Sequence, residues 1–139
     1  MPDSETSILR ATLDTKLYRD IEIPDTKSLY DLGEAIVEAF DFDLDHAFGF
    51  YSKLKGHIFD SPVKYELFAD MGESDAQSVK RTHISTAFPE VGTKMIFLFD
   101  YGDDWRFHVE MVGKGQKQPR VRYPKILASV GEAPEQYPD

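Results

Sequence analysis

The feature that most constrains the fold of this chain is the segment 99–107, which reads Phe-Asp-Tyr-Gly-Asp-Asp-Trp-Arg-Phe. Aromatic residues alternate with other residues on both sides of an acidic turn that contains Gly102. Such alternation is typical of half-buried strands, and glycine beside aspartate is typical of a hairpin turn. The segment therefore predicts two antiparallel strands, 95–101 and 105–112, with the only tryptophan, Trp105, beside their turn.

The length of this turn decides which side chains share a face of the hairpin. A two-residue turn at Gly102 and Asp103 would place the aromatic residues of the two strands on opposite faces. A three-residue loop, 102–104, gathers them on one face, and only this arrangement provides a continuous apolar surface. The residues expected on that face are Phe97, Phe99, Tyr101, Trp105, Phe107, Val109 and Met111. The same register places Asp100 directly opposite Arg106.

A second strong pattern predicts a helix at 28–40. Ser28 followed by Asp31 three residues later is typical of a capping box. The apolar residues that recur at helical spacing are Leu29, Leu32, Ile36, Val37 and Phe40. Gly33 interrupts this pattern at a cost of about 1 kcal/mol relative to alanine. It either permits close packing on the sheet or is merely tolerated.

Shorter patterns predict the rest of the sheet. Alternating runs separated by turn residues predict a first hairpin, and two further apolar runs predict additional strands. The strands predicted in this way are 8–13, 17–23, 47–51 and 64–68. The polar segment 69–80 is expected to be a mobile loop, because it has little to bury. Residues 82–88 are expected to form a short helix or turn.

Together these elements predict one α+β domain. Residues 1–7 are expected to be a disordered leader, followed by a single domain at 8–139. We expect a curved, mostly antiparallel sheet of five to seven strands, with the 28–40 helix packed on one face. No other predicted element is long enough to cover the aromatic face, so Trp105 is expected to be buried against that helix and the neighbouring phenylalanines of the hairpin.

Composition excludes several classes of function. The chain has 139 residues and no cysteine, which excludes a disulfide scaffold, a thiolate zinc site and a cysteine nucleophile. No apolar run is long enough to span a membrane and the start is acidic, so a soluble cytoplasmic protein is expected, with no membrane partner. The formal net charge of −9 weighs against nucleic-acid binding. One local basic segment contains Lys114, Lys117, Arg120, Arg122 and Lys125.

Four blocks in a fixed order carry a family resemblance. They are 18–24, 29–32 continuing to Ala39 and Phe40, Asp45 and His46 with Phe48 and Phe50, and 99–105. With these blocks the chain resembles the plasmid pRiA4b ORF-3-like proteins, several of which accompany mobile elements. The segment 123–127 with Gly131 is similar to the end of such proteins, so the resemblance extends from Ile8 to Glu135. It implies an α+β domain of uncharacterised biochemical role.

The residues that could carry chemistry gather at the acidic hairpin. They are Asp100, Asp103, Asp104, Trp105, Arg106 and His108, together with Asp45 and His46. Carboxylates beside an imidazole could bind a hard divalent cation or act as general acid and base. A structural role explains the same residues, because Arg106 would pair with Asp100 and the aspartates would bond to loop amides. We favour the structural role and predict neither a metal nor a cofactor.

Three classes of function stay open. The sequence has no nucleophile elbow, P-loop, dinucleotide fingerprint or helical histidine pair, which favours a non-catalytic binding or regulatory module acting through a protein partner. By association with the family, that partner would belong to plasmid or mobile-element biology. The alternative is a metal-dependent hydrolase or nuclease-like enzyme that uses Asp100, Asp103, Asp104 and His108. Nucleic-acid binding through 114–125 ranks third.

Overall fold

The computed structural model describes residues 5–137. The strands are β1 (Glu5–Asp14), β2 (Leu17–Pro24), β3 (Phe48–Tyr51), β4 (Lys64–Glu66), β5 (Gln77–Ser78), β6 (Lys94–Phe99), β7 (Trp105–Gln116) and β8 (Lys125–Val130). Within the described residues they form one open sheet in the order β5-β4-β3-β6-β7-β1-β2-β8. Neighbouring strands are antiparallel except β4 and β5, which are parallel.

Three α-helices accompany the sheet. They are α1 (Leu29–Ala39), α2 (Leu67–Asp70) and α3 (Ile84–Ala87), and a 3-10 turn lies at Ile58–Asp60. Only α1 is longer than a single turn or so. Among residues 5–137, none of the helices has the length and apolar character needed to cross a membrane. The α+β class predicted from the sequence is confirmed.

The predicted number of strands is wrong, since the sheet has eight rather than five to seven. Two strands have no clear sequence signal. β5 consists of only two polar residues, Gln77 and Ser78, and pairs over that length with β4. β8 is an edge strand whose residues are nearly all exposed, so it lacks the alternation that marks a half-buried strand. Pairing with neighbours, rather than local pattern, creates both.

The predicted leader ends earlier than expected. β1 begins at Glu5 and pairs with both β2 and β7, so residues 5–7 belong to a strand in the interior of the sheet. Thr6 and Ser7 are buried, and the Thr6 hydroxyl donates to the Glu22 carboxylate at 2.6 Å. The side chains at the start of β1 are polar, so this part of the strand lacks the apolar alternation that would predict it from the sequence. The rest of the predicted leader, residues 1–4, lies outside the described residues.

The segment predicted to be a mobile loop is held by polar contacts. The end of α2 and all of β5 lie within it, and the Asp70 carboxylate accepts hydrogen bonds from the Ser78 hydroxyl and, at 3.1 Å, from the Val79 amide. Val79 is buried. The predicted fourth strand also ends early, because the chain turns into α2 at Leu67. Side-chain hydrogen bonds therefore order a segment whose composition indicates a loop.

α1 confirms the helix predicted at 28–40. The Ser28 hydroxyl accepts from the Asp31 amide at 3.1 Å, and the Asp31 carboxylate accepts from the Ser28 amide, which completes the capping box. A Cβ at Gly33 would lie 2.7 Å from the ring of Phe48 on β3. Gly33 therefore permits close packing of α1 on the sheet, which settles the alternative that the sequence left open.

The main core lies between α1 and one face of the sheet. Phenylalanine rings dominate it, and neighbouring rings such as Phe50 and Phe97 are 4.9 Å apart between centroids. The buried aromatic residues of this core include Phe40, Phe42, Phe48, Phe50, Phe88, Phe97, Phe99 and Phe107. α3 adds Ile84 and Ala87, as its sequence predicts. Burial of these rings is the dominant stabilising contribution to the fold.

The register of the central hairpin differs from the prediction by two residues. Phe99 pairs with Trp105 and Leu98 with Arg106, so five residues, 100–104, form the loop instead of three. A shift of two keeps every strand residue on its predicted face, because the side-chain period of a strand is two. Tyr101 is the exception. It lies in the loop and packs with Ile96 and Leu98 on the face opposite α1.

Candidate functional site

The five-residue loop is built around Asp100 and Asp104. Both have positive φ angles, 64° and 59°, in the left-handed region that aspartate tolerates better than most residues. The Asp104 amide donates to the Asp100 carbonyl at 2.6 Å, and the Asp100 amide donates to the Ala47 carbonyl at 3.0 Å. The second bond ties the hairpin to the chain that enters β3. The loop is thus anchored on both sides by backbone hydrogen bonds.

The Asp100 carboxylate is almost fully buried and is engaged by its own loop. Oδ1 accepts hydrogen bonds from the amides of Gly102 at 3.1 Å and Asp103 at 3.2 Å. Oδ2 lies 3.4 Å from Nδ1 of His46. Because the residue is only 3% exposed, its carboxylate replaces water as the acceptor for these amides. Asp100 is therefore a structural part of the loop.

The predicted pair between Asp100 and Arg106 does not form. The two-residue shift places Arg106 opposite Leu98, and its Nε donates instead to Oδ1 of Asp104 at 2.7 Å. Both side chains of this pair are about half exposed, at 40% and 51%. An ion pair so open to solvent contributes little to stability.

Asp45 and His46, on the loop between α1 and β3, lie beside Asp100. His46 Nδ1 is 2.8 Å from Oδ1 of Asp45. The phenol of Tyr137, near the end of the described chain, donates to Oδ2 of Asp45 at 2.7 Å and lies 3.2 Å from the same imidazole nitrogen. We call this group of Asp45, His46, Asp100 and Tyr137 the polar clasp. It joins the loop after α1, the central hairpin and the C-terminal segment.

Gln136 holds the C-terminal segment in place next to the clasp. The Asp43 amide donates to its side-chain oxygen at 2.8 Å, and its side-chain nitrogen donates to the Asp43 carbonyl at 3.1 Å. The same nitrogen donates to Asp45 Oδ1, also at 3.1 Å. One amide side chain thus pairs with the backbone of Asp43 on both of its polar atoms. The clasp therefore depends on residues more than ninety positions apart in the chain.

Hydrogen bonding within the clasp shifts three pKa values. The hydrogen bond from Tyr137, followed by that of His46, lowers the pKa of Asp45. The bond to Asp45, with the nearby charges of Asp100 and Asp103, raises the pKa of His46 above its ordinary value. Asp45 also raises the pKa of Tyr137 to about 12. These shifts favour the ionised form of Asp45, the protonated form of His46 and the neutral form of Tyr137.

Trp105 is half-buried rather than buried beneath α1 as the sequence predicts. Its ring packs edge-on against Phe42, with centroids 4.9 Å apart, at the margin of the main core. The indole N–H is buried, and nothing in the described structure accepts a hydrogen bond from it. An open cavity of about 370 Å³ lies beside the ring, lined by Asp103, Trp105, Gln136 and Tyr137. Trp105 is the first residue of β7, directly after the loop, and this position leaves one side of its ring uncovered.

The structure separates two predicted site residues from the rest. His108 lies in the middle of β7, opposite Ile96 and Thr12, on the face away from α1. Its imidazole is exposed and does not join the clasp. Asp104 faces Arg106 rather than His46. Among residues 5–137, no group of three or more acidic, histidine or cysteine side chains is placed to hold a metal ion.

The basic segment forms an exposed connection. Lys114 lies on β7 and Lys125 begins β8, with Lys117, Arg120 and Arg122 in the chain between them. All five side chains are exposed. The segment forms no strand between residues 117 and 124, so its charges lie on an irregular, exposed connection.

A second polar group, which sequence reasoning missed, lies on the sheet face opposite α1. The Tyr51 hydroxyl donates to the buried Glu66 carboxylate and lies 2.7 Å from the Tyr101 hydroxyl, and the Ser74 hydroxyl donates to the other oxygen of Glu66. Burial, followed by the contact with Glu66, raises the pKa of Tyr51, and burial raises the pKa of Tyr101. A Cβ at Gly49 would lie 2.7 Å from the Tyr101 oxygen. The glycine makes room for this group.

Sequence reasoning also missed Gln136 and Tyr137. Both follow β8 in a segment without secondary structure, so no periodic pattern marks them. The one available signal is a lone aromatic residue in an otherwise polar, proline-containing tail. For the group formed by Tyr51, Tyr101 and Glu66, the corresponding signal is Gly49, which stands between two phenylalanines.

Fold and site together define an α+β protein with one open sheet, a single long helix and a polar clasp centred on an acidic hairpin. The chain belongs to the plasmid pRiA4b ORF-3-like protein family, whose sequence profile matches residues 8–136. The family resemblance given by the sequence blocks is thereby confirmed.

A solved structure shares the fold. It is the crystal structure of a protein of unknown function from Methanosarcina mazei Go1, with a TM-score of 0.71 and 21% sequence identity. The alignment covers 91% of this chain and 70% of that chain. No curated protein matches the sequence. The comparisons thus establish family and fold.

Proposed function

We propose that this protein is a non-catalytic binding module that acts through a protein partner. The observation that carries the proposal is the free edge of β8. This strand pairs with β2 on one side and has no neighbouring strand on the other within the described residues. Free strand edges bind extended segments of other proteins by continuing the sheet.

The side chains of β8 support this role. Ile126, Leu127 and Val130 are 44%, 43% and 38% exposed, which leaves three sizeable apolar side chains on a six-residue strand in contact with solvent. Natural edge strands usually carry charges or bulges that prevent pairing. Here Lys125 is the single charged residue of the strand. β8 therefore has the features of a strand that a partner covers.

The state of the acidic hairpin favours binding over the alternative, a metal-dependent hydrolase. An active site would need carboxylates that converge on an open cavity. Asp100 is instead buried and bonded to loop amides, and Asp104 faces Arg106. His108 lies away from both. Asp103 lines the open cavity beside Trp105, but Asp100, Asp104 and His108 do not join it there.

We infer a setting in plasmid or mobile-element biology only from the name of the family. The partner would be a protein encoded or recruited by such an element. We rank nucleic acid below protein as the partner, because the formal net charge is −9 and the basic segment offers five exposed side chains on an irregular connection.

Affinity capture from the native host, followed by mass spectrometry, tests the proposal. The wild type should recover a defined protein, and the double variant Ile126→Ser/Leu127→Ser should lose it. Both residues are exposed, so we expect the variant to fold. The matched control is Val63→Ser/Val91→Ser, which removes two other exposed apolar side chains, 37% and 56% accessible, away from β8.

Three outcomes of the affinity capture show whether a partner exists and whether it binds at β8. Loss of the partner in the β8 variant alone supports binding at this edge. Retention of the partner by the β8 variant would show that another surface binds. Recovery of no protein above a blank resin would overturn the proposal.

A further inference from the structure

A groove of about 120 Å³ lies between α1 and the segment that leads into β8. Its apolar lining consists of Ile23, Pro24, Ala35, Tyr123 and Pro124. β8 begins at Lys125, directly after Pro124, so the groove lies at the start of this strand, beside the end of β2. Ile126 of β8 pairs with Ile21, which belongs to the α1 face of the sheet. An extended segment added to β8 would therefore direct alternate side chains towards this side.

Carboxylates of α1 form one wall of the groove. Asp31, Glu34 and Glu38 are spaced three and four residues apart, which places them in one stripe along the helix. Asp31 is used by the capping box. Glu34 and Glu38 are exposed, and neither makes an ion pair or a side-chain hydrogen bond within residues 5–137.

Helix stability does not account for these two charges. Glu38 lies in the last turn of α1, where the helix dipole disfavours a negative charge, and no basic residue occurs in that turn. Lys27 also lines the groove, but it precedes the N-cap and so lies at the other end of the helix. The half of the groove beside Glu34 and Glu38 therefore has two carboxylates without an ion-pair partner in the described structure, next to an apolar floor.

Resting on the proposed function, we infer that the groove accepts a lysine or arginine side chain of the partner segment that pairs with β8. Such a side chain has an apolar stem and a cationic head. The stem matches the lining by Ile23, Ala35 and Pro124, and the head matches Glu34 and Glu38. The partner is thus an extended segment with a basic residue at the position that faces α1.

The surroundings limit the segment to one such residue. Arg122 and Lys125 flank Tyr123 and Pro124, and both are exposed. They repel additional positive charge close to the groove. The surface therefore fits a single cation within an otherwise uncharged strand rather than a polybasic tail.

Selection from a displayed library of random peptides against the full chain tests this inference. We expect enriched sequences with alternating β-branched residues and one lysine or arginine. A synthetic, fluorescein-labelled copy of an enriched peptide then gives the affinity by fluorescence polarisation, beside the same peptide with its basic residue replaced by glutamine. Affinity should fall as salt concentration rises, because the contact is partly exposed.

The variant Glu34→Gln/Glu38→Gln should weaken binding about tenfold, as expected for loss of a charge-assisted contact. Glu73→Gln/Glu90→Gln is the matched control, because it removes two exposed carboxylates outside the groove and changes the net charge equally. The glutamine peptide should bind wild type and the groove variant equally weakly.

The outcomes separate the inference from the function on which it rests. Enriched peptides that lack a basic residue, or that bind the groove variant as well as wild type, overturn the inference. If these peptides are still lost in Ile126→Ser/Leu127→Ser, binding at β8 stands without the cation site. Absence of any enrichment over a blank surface contradicts both.

Discussion

The polar clasp and the α1 groove are both acidic, but their carboxylates are in opposite states. In the clasp, Asp45 and Asp100 are bonded to an imidazole, a phenol and loop amides. In the groove, Glu34 and Glu38 have no such contacts within the described residues. Acidic composition alone therefore does not identify a binding site. What matters is whether the local backbone needs the carboxylates.

The reason lies in the two types of backbone. A hairpin loop has amides that no strand partner can bond, so side chains such as Asp100 must accept them. The middle and end of a helix bond their own amides internally. Glu34 and Glu38 are therefore not required for folding and stay available.

Asp100→Ala should lower the free energy of unfolding by about 2 to 4 kcal/mol. It leaves two loop amides without an acceptor and places alanine at a left-handed φ of 64°. Asp100→Asn keeps an acceptor and tolerates the same φ, so its loss should stay within about 1 kcal/mol. Urea unfolding measures both. Equal losses would show that the charge, rather than the loop hydrogen bonds, stabilises the hairpin.

Protonation of His46 affects several clasp contacts at once, so we expect the next effect to depend on pH. Because its folded pKa is raised, its stabilising contribution is present below pH 6.5 and is lost as the pH rises through the folded pKa. NMR titration of the imidazole should give a value above 6.5, and Asp45→Asn should reduce it. An unchanged value in Asp45→Asn would contradict the assigned cause.

The exposed pair of Asp104 and Arg106 should contribute less. A double-mutant cycle with Asp104→Asn and Arg106→Gln should return a coupling energy of about 0.2 to 1 kcal/mol, as for other solvent-exposed pairs. A cycle on Asp100 and Arg106 should give none beyond the usual additivity error of about 0.5 kcal/mol, because the register separates them. A larger coupling energy between Asp100 and Arg106 would indicate that the hairpin has the three-residue loop in solution.

Glu34→Gln/Glu38→Gln should leave the free energy of unfolding within about 0.5 kcal/mol of wild type, since neither side chain has an internal partner. A slight gain is consistent with removing negative charge from the last turn of α1. Thermal and urea unfolding provide the measurement. A loss above 1 kcal/mol would mean that the groove, like the clasp, is built for stability.

Local patterns in the sequence were sufficient for much of the fold. α1, its capping box and the first hairpin follow from periodicity and turn residues, and the structure confirms them. Apolar alternation also predicts the correct face of each strand in the central hairpin. It cannot distinguish registers that differ by two, because both bury the same face. The bond from the Asp100 amide to Ala47, a contact outside the hairpin, accompanies the observed register.

The site was less predictable. The sequence predicts that Asp45, His46 and Asp100 belong to one candidate site, and in the structure His46 contacts both aspartates. The same prediction includes His108, but the strand geometry places its side chain on the other face of the sheet. Tyr137 and Gln136 approach from a distant part of the chain without any pattern, and β8 and the groove depend on pairing between distant segments. Single-residue, long-range contacts of this kind have no local signature.

Gly33, on the inner side of α1, sets how closely the helix that forms one wall of the groove approaches the sheet. With no side chain at this position, the helix lies against Phe48, whose ring is enclosed by the core. A methyl group there would overlap the ring at 2.7 Å and would force the helix outward. Since Glu34 and Ala35 follow directly, the width of the groove would change with no substitution in its lining. Under the proposed function, the spacing of this one helix above the sheet would then set which side chain the groove accepts.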